Sequence, residues 1–318
     1  MGGVQTVIQA VICSRLAEKF EFAVVPPDEA RRQLRDGGPR VFVFEDACAW
    51  RRLPELAAFR LRRGRCKIVI HDGHYSENFV RCKAPAPARF HAMLRLSYGL
   101  ADRVVAVSRG QADWMLSRRL VAASRLGVAP PASPLQPLLA LPVTAPERPL
   151  VLAAFGRFHP QKGFDVLLDA MRLLPRGKVR LRLAGAGPEE ARLRAQGAGL
   201  DEVTFAGECT DPAGLLAGCG AVVVPSRWEP FGLVCQEAKA AGKPVIASRV
   251  DGLTAQAEGC GLLVPPGDAR ALAAAIAELA GLPDETLRAW GERGRAMVAD
   301  AVEESLRGWE KLLTELAS

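Results

Sequence analysis

Two carboxylates flank the start of a predicted helix in the second half of the chain. In the segment PSRWEPFGLVCQEAKAAGKPVIAS (225–248), an apolar strand ends near Pro225 and Phe231-Gly232-Leu233 opens a helix. Free backbone N–H groups and the positive end of a helix dipole suit a phosphate group. Glu229 precedes the helix and Glu237 lies inside it, so hydroxyl groups on both sides of a phosphate can be bound. This arrangement fits a nucleotide sugar.

A second segment, FGRFHPQKGFDVLLDA (155–170), supplies cations. Gly156 and Arg157 turn out of a strand, and Lys162 precedes the next helix. Arg157 and Lys162 lie across a turn from each other and can converge on one anion. A guanidinium fork with an ammonium group is a common diphosphate clamp. The alternative is that both are solvated surface cations, but their combination with the two carboxylates favours the clamp.

Two histidines follow an apolar strand in the first half, within CKIVIHDGHYSENF (66–79). Ligands of parallel α/β sheets bind at the carboxyl ends of the strands. His74 is the first candidate for a side chain at the ligand because of its position in the loop, and His71 is the second. A structural role is the alternative for each.

Parallel sheets are needed to position these segments. Short apolar runs alternate with amphipathic stretches of about 10–15 residues, which is typical of βαβ units. The predicted strands are 21–25, 40–44, 66–70, 102–107, 149–155, 179–184, 203–207, 221–225, 243–247 and 261–265. The predicted helices are 4–18, 27–36, 50–63, 86–100, 109–118, 162–174, 188–198, 211–218, 231–241, 268–280 and a final tract over 283–317. Two Rossmann-like α/β domains follow from this alternation.

Seven prolines between positions 129 and 149 indicate the domain boundary, because such a stretch cannot form a regular helix. We predict a first domain over 1–135, a linker over 136–148, a second domain over 149–300, and a last helix over 301–318 that packs back on the first domain.

The composition is that of a globular protein: 318 residues, 49% hydrophobic and 24% charged. Aromatic residues, at 6%, are too few for a base-stacking platform, and no nucleic-acid motif is present, so nucleic acid is not expected as a partner. The eight cysteines form no C-x-x-C pair, which disfavours a zinc ribbon and favours reduced thiols. Without a signal peptide or a membrane-length apolar run, we expect a cytoplasmic protein.

The basic charge is concentrated in the first half. Residues 1–150 carry 23 Lys and Arg against 13 Asp and Glu, whereas residues 151–318 carry 19 against 22. The cluster comprises Arg31, Arg32, Arg35, Arg51, Arg52, Arg60, Arg62, Arg63, Arg65 and Lys67. Such residues can hold an anionic membrane surface, which predicts peripheral association with the inner face of the plasma membrane. A solvated basic face is the alternative.

Several motifs of the chain belong to one pattern. They are Gly156-Arg157 with Lys162-Gly163, Glu229-Pro230-Phe231-Gly232 with Glu237, DRVVAVSRG (102–110), LAGAGP (183–188), VTFAGE (203–208) and GLLVPPGD (261–268). Together they resemble the signature of bacterial family-4 retaining glycosyltransferases of the GT-B fold, the glycosyl transferases group 1. The resemblance covers most of residues 2–300. It implies two Rossmann-like domains with parallel sheets facing a cleft.

The resemblance also implies roles for individual residues. Arg157 and Lys162 would hold the diphosphate, Glu237 the ribose hydroxyls and Glu229 the donor sugar. The implied catalytic residues are Glu229, His74, Arg157 and Lys162. The implied donor-binding residues are Gly156, Arg157, Lys162, Gly207, Glu208, Cys209, Glu229, Phe231, Gly232, Leu233, Val234 and Glu237. A loop at the phosphates or acceptor would contain Gly2 and Gly3, with His71 nearby.

The chain departs from the family pattern in three places. The first strand of the N-terminal domain is missing before Gly2-Gly3, the linker lacks an Asn-Gly turn, and DGLTAQ (251–256) replaces the usual Gly-Gly-x-x-Glu. The missing strand leaves open the role of the two glycines.

The resemblance implies retaining transfer of a sugar from a UDP-sugar or GDP-sugar to a saccharide or lipid-linked saccharide. Such transfer would serve cell-surface polysaccharide or lipopolysaccharide assembly. No Asp-x-Asp motif occurs, so we expect no metal and no other cofactor. Two alternatives remain: a nucleotide-sugar epimerase of the same fold, and a non-catalytic nucleotide-sugar-binding subunit.

Overall fold

The computed structural model describes residues 3–34, 38, 40–45, 48–131 and 133–317, with residues 3–7 described as backbone. It divides into two compact units. The described residues of 1–133 and 301–318 form the first unit, and residues 134–300 form the second.

Each unit is built on a parallel sheet. The strands, in chain order, are β1 (Val41–Phe44), β2 (Lys67–Asp72), β3 (Arg103–Ala106), β4 (Leu126–Val128), β5 (Leu150–Phe155), β6 (Val179–Ala184), β7 (Val203–Phe205), β8 (Ala221–Val224), β9 (Val245–Ser248) and β10 (Gly261–Val264). Among the described residues, the first sheet has the order β1-β2-β3-β4 and the second the order β10-β9-β8-β5-β6-β7.

Helices connect the strands as crossovers. In chain order they are α1 (Gly3–Ile12), α2 (Pro27–Gln33), α3 (Leu53–Arg62), α4 (Glu77–Lys83), α5 (Pro87–Gly99), α6 (Arg109–Ser117), α7 (Gln136–Leu139), α8 (Phe164–Leu173), α9 (Glu190–Gly197), α10 (Pro212–Ala217), α11 (Leu233–Ala240), α12 (Asp251–Ala257), α13 (Ala269–Gly281), α14 (Asp284–Val298) and α15 (Ala301–Ala317). Short 3-10 turns occupy Arg15–Glu18, Trp50–Arg52, Ala123–Arg125 and Pro160–Lys162.

The central strands are apolar because both of their faces are covered. All four residues of β8 and all four of β9 are buried. In the second unit, Leu152 of β5 belongs to one core with Leu167 of α8 and Ile276 of α13, and all three are fully buried. Continuous apolar runs of this kind are typical of parallel sheets.

The predicted strand at 21–25 is wrong, since these residues form no regular structure. Phe22 packs inward beside Phe20, while Val24 is 72% exposed. The apolar residues therefore do not line one face of a strand, and Pro26 and Pro27 end the segment. Among the described residues, no strand precedes β1.

Other elements also differ from the predictions, including the short helix α7 within the predicted linker. The short strand β4, which contains Gly127, lies outside the predicted strands and completes the first sheet beside β3. The predicted helical tract over 283–317 is two helices, α14 and α15, separated by residues 299–300.

The last helix, α15, packs within the first unit. Its buried residues Leu306 and Trp309 share a core with Val69 of β2 and Val105 of β3. At the edge of this core, Arg15 pairs with Glu303 (2.7 Å) and Glu310 (2.6 Å), and Lys19 also contacts Glu310. The helix thus covers one face of the first sheet.

We expect Trp309→Ala to lower the free energy of unfolding by about 3–5 kcal/mol, because a large buried ring leaves a cavity. Urea unfolding followed by circular dichroism measures the change. Lys311→Ala, an exposed position on the same helix, serves as the control and should change stability by less than about 0.5 kcal/mol. Equal effects of the two substitutions would contradict the packing of α15.

Candidate functional site

The order of strands in the second sheet reverses between β5 and β8. From β5 the chain proceeds to β6 and β7 at one edge, and from β8 to β9 and β10 at the other. The loops that leave neighbouring strands at such a switch point diverge and leave a crevice at their carboxyl ends. The two segments singled out from the sequence, 156–163 and 225–232, are these loops.

A partly buried ion pair joins the two loops. Lys162 Nζ lies 2.5 Å from Glu229 Oε2, and the side chains are 20% and 11% exposed. Ser226 Oγ donates to the same carboxylate oxygen at 3.2 Å. Among the described residues, Glu229 Oε1 has no partner. The site therefore contains a cation and an acceptor with one oxygen still available.

The backbones of the two loops lie in direct contact. Gly163 has a φ of +66°, and a Cβ on it would lie 2.1 Å from the carbonyl oxygen of Pro225. A side chain at this position would push the loops apart. The close approach explains why a glycine follows Lys162.

A second ion pair, between Arg227 and Asp165, supports the contact between the two loops. Arg227 donates two hydrogen bonds of 2.8 Å to the Asp165 carboxylate, at the start of α8. Its backbone N–H donates to the carbonyl of Gln161 (2.7 Å), and Gln161 Nε2 donates to the carbonyl of Trp228 (3.1 Å). Burial would raise the pKa of Asp165, but the hydrogen bonds and charge of Arg227 outweigh it, so that pKa lies below its usual range.

The start of α11 offers free donors beside the ion pair. The backbone N–H groups of Gly232, Leu233 and Val234 have no acceptor among the described residues, as expected for the first turn of a helix.

Burial raises the pKa of Glu237 to about 7, although the positive charge of Lys162 acts in the opposite direction. Burial and the charge of Glu237 raise the pKa of Cys209 to about 11.

The other predicted donor-site residues surround this point. Gly156 lies beside the Lys162 side chain, since a Cβ on Gly156 would be 3.8 Å from Lys162 Cε. Arg157 is exposed and has no carboxylate partner among the described residues. Gly207 accepts a hydrogen bond from the N–H of Gly185 (2.6 Å), and Glu208 is exposed. Phe231 is half-buried in the turn before α11.

The first-unit candidates differ in accessibility. His74 follows β2, with its backbone N–H donating to Asp72 (2.8 Å) and its Nε2 3.0 Å from the carbonyl of Glu45. His71 lies within β2, is 3% exposed, contacts the Trp309 ring and pairs with Glu45 through Nδ1 (2.7 Å). His71 therefore lies in the strand itself rather than in the loop that follows it, and its role at a ligand stays a prediction.

The predicted glycine-rich loop at the N-terminus lies partly outside the described residues. Gly3 is the first residue of α1 rather than part of a loop, and Gly2 lies outside the described residues.

No group of three or more His, Cys, Asp and Glu side chains suited to a metal ion occurs among the described residues. Within the same residues, no helix has the length and apolar character needed to cross a membrane.

The geometry of the second unit agrees with its sequence relationships. Residues 142–297 match the family model of glycosyl transferases group 1. This segment, which lies within the second unit, is the part of the chain that resembles the glycosyl transferases group 1. The predicted resemblance to the glycosyl transferases group 1 is thus confirmed for this segment.

Relatives of this chain share the segment at moderate identity. A lipopolysaccharide core biosynthesis glycosyltransferase of Rhizobium meliloti is 38% identical over 155 residues, which make up 46% of this chain and 44% of that protein. An exopolysaccharide phosphotransferase of Streptomyces coelicolor is 34% identical over 234 residues, 68% of this chain and 24% of that protein. The chain thus spans less than half the length of these relatives.

Solved structures extend the likeness to the whole chain. The structure of Anabaena HepE in complex with UDP-glucose matches with a TM-score of 0.74 at 19% identity, covering 99% of this chain and 96% of that one. With two parallel α/β sheets and such neighbours, the fold is GT-B, as predicted.

Sequence reasoning missed four residues that support the site. Asp165 and Arg227 form the second ion pair, and Asp251 and Gln256 of α12 contact the turn that begins at Glu229. Asp165 and Arg227 lie within the two recognised segments, but their spacing of 62 positions gives no local signal. DGLTAQ was recognised only as a departure from the family pattern.

We expect Glu237→Gln to raise the melting temperature at pH 8 and to leave it nearly unchanged at pH 5. With a usual value of 4.5 and a native pKa of about 7, the native state binds more protons between these values. The cost of the buried carboxylate is therefore complete above pH 7 and disappears as the pH falls toward 4.5. Thermal melting at both pH values tests this, with exposed Glu278→Gln as the control. An equal shift at both pH values would contradict it.

Proposed function

We propose that this chain transfers a sugar from a nucleoside-diphosphate sugar to a hydroxyl acceptor with retention of anomeric configuration. The Lys162–Glu229 pair at the switch point carries the proposal. It places a cation, and a carboxylate that can accept hydrogen bonds from sugar hydroxyls, beside the free amides of α11. The match of residues 142–297 to the glycosyl transferases group 1 supports the reaction class. A solved structure of similar fold binds UDP-glucose, which favours a nucleotide diphosphate as carrier.

In the proposed reaction each group has a separate task. Lys162, exposed Arg157 and the amides of Gly232 and Leu233 bind the diphosphate and stabilise its charge as the glycosidic C–O bond breaks. Glu229 Oε1 accepts from a sugar hydroxyl, and Glu237 accepts from the ribose. The acceptor hydroxyl attacks the anomeric carbon on the face of the departing group, and its proton passes to the departing phosphate oxygen. No metal takes part in the proposed reaction.

The proposed acceptor is a saccharide or lipid-linked saccharide of cell-surface polysaccharide assembly. A relative that matches nearly half of this chain is a lipopolysaccharide core biosynthesis glycosyltransferase, which supports that class.

A thermal-shift screen with UDP, GDP and their sugars would identify the donor. A ligand at about 100 times its dissociation constant stabilises the protein by about 2.7 kcal/mol.

We expect Lys162→Ala and Glu229→Ala each to lower sugar transfer by about a hundredfold or more, because each removes a group that binds the donor at the transition state. Transfer is measured with the donor found in the screen, and circular dichroism checks folding. Arg148→Ala breaks an ion pair with Asp284 (2.6 Å) elsewhere in the second unit and serves as the control. Wild-type turnover in either site variant would overturn the assignment.

Product analysis without acceptor separates transfer from epimerisation, and a lack of donor turnover by the wild type would indicate a binding subunit.

We further propose that the first unit binds an anionic membrane surface through part of its arginine cluster. Several cluster members are already paired: Arg31 with Asp28 and Glu55, Arg32 with Glu29, and Arg60 and Arg63 with Asp102. Arg51, Arg62 and Arg65 are exposed and have no carboxylate partner among the described residues. Leu61, 86% exposed, lies beside Arg62 on α3.

We expect the triple substitution Arg51→Gln, Arg62→Gln, Arg65→Gln to weaken binding to anionic vesicles at low salt by about a hundredfold, at roughly 1 kcal/mol per cation. Flotation with phosphatidylserine vesicles at low and high salt measures this. The matched control removes three exposed arginines of the second unit, Arg176, Arg180 and Arg270. No binding by the wild type at low salt, or equal losses in both triple variants, would reject the membrane surface.

A further inference from the structure

The backbone of Glu229 is held by α12, an element that belongs to neither site loop. The N–H of Glu229 donates to Asp251 Oδ2 at 2.9 Å, and the N–H of Gly252 donates to the carbonyl of Glu229 at 3.1 Å. The backbone N–H and the backbone carbonyl of Glu229 are therefore both hydrogen-bonded by consecutive residues of α12, Asp251 and Gly252. The carboxylate of Glu229 is bound separately, by Lys162 and Ser226.

The rest of the turn after Glu229 follows the same helix. Gln256 Nε2 donates to the carbonyls of Phe231 (2.6 Å) and Gly232 (3.3 Å). A Cβ on Gly252 would lie 2.4 Å from the carbonyl oxygen of Pro230, so the two backbones are in contact. These contacts fix the course of the chain from Glu229 to the start of α11.

Asp251 adopts its position at a conformational cost. Its φ is +38°, in the left-handed region that favours glycine and is tolerated better by Asn and Asp than by most other residues. Glycine, which the family pattern has here, would adopt this backbone without strain but would offer no carboxylate to Glu229. Strain held at a functional site indicates that the side chain contributes something a relaxed residue would not.

We propose that the first turn of α12 is a template for Glu229 and that Asp251 is a positioning residue for the donor sugar. The proposal rests on the proposed function, in which Glu229 Oε1 accepts a sugar hydroxyl. Asp251 acts through the Glu229 backbone. Its loss should therefore weaken recognition of the sugar while leaving recognition of the nucleoside diphosphate in place.

The closing experiment compares Asp251→Gly with Asp251→Asn. Glycine relieves the backbone strain and removes the acceptor, whereas asparagine keeps both an oxygen acceptor and tolerance of the left-handed region. Calorimetry measures the affinity of each variant for the nucleotide sugar and for the bare nucleoside diphosphate. Hydrogen exchange measures protection of the Glu229 amide without ligand.

We expect Asp251→Gly to lose on the order of tenfold in affinity for the nucleotide sugar and in kcat/KM, because the acceptor is misplaced. Affinity for the nucleoside diphosphate should not change, the Glu229 amide should exchange faster, and Asp251→Asn should restore wild-type behaviour. The control, Asp268→Gly, removes a carboxylate that caps α13 through the Ala271 N–H (2.9 Å). It should lower the melting temperature without changing either affinity.

Two results separate failure of this inference from failure of the proposed function. An Asp251→Gly variant with wild-type sugar affinity and Glu229 protection overturns the positioning role while transfer stands. A wild-type protein that neither binds nor transfers a sugar from any donor rejects the proposed function, and the role of Asp251 in sugar binding with it.

Discussion

The contact between Lys162 and Glu229 is the interaction on which the second unit's site depends. It joins loops that leave adjacent strands but stand 67 positions apart in the chain. A partly buried ion pair loses hydration on both partners, so its geometry must be good if the Coulomb attraction is to offset that loss. The Arg227–Asp165 pair, the Gly163–Pro225 approach and the first turn of α12 together provide that geometry.

The same pair also balances the charge of the proposed site before a ligand binds. Without ligand, the Lys162 cation and the Glu229 carboxylate compensate each other, so neither is left as an isolated buried charge. A diphosphate sugar would present an anion to the lysine and hydroxyl donors to the glutamate. Both partners of the pair would then be bound by one molecule. Glu237 has no ion-pair partner among the described residues, and burial raises its pKa to about 7.

Much of this arrangement was predictable from local patterns. Buried strands such as β5 and β8 are continuous apolar runs, and the motifs around Lys162 and Glu229 were recognised by their residue types. The pairing of these side chains was not predictable, because nothing local encodes contact across 67 residues. Residues 21–25 have the composition of a strand, but Val24 is exposed, and Phe22 and Val25 pack against different cores. Asp251 departs from the family pattern, and only the backbone around it explains why an acidic residue stands there.

The packing of α15 has a consequence for synthesis of the protein. The core that contains Val69 and Val105 is completed by residues 306–316, which leave the ribosome after the whole second unit. Domains generally fold as units in the order in which they are made. Here residues 8–133 leave the ribosome with one face of the first sheet uncovered, and that face stays uncovered until α15 is made. Of the two units, the one that begins first in the chain is therefore completed second, and its exposed apolar face is where a nascent chain would need a chaperone.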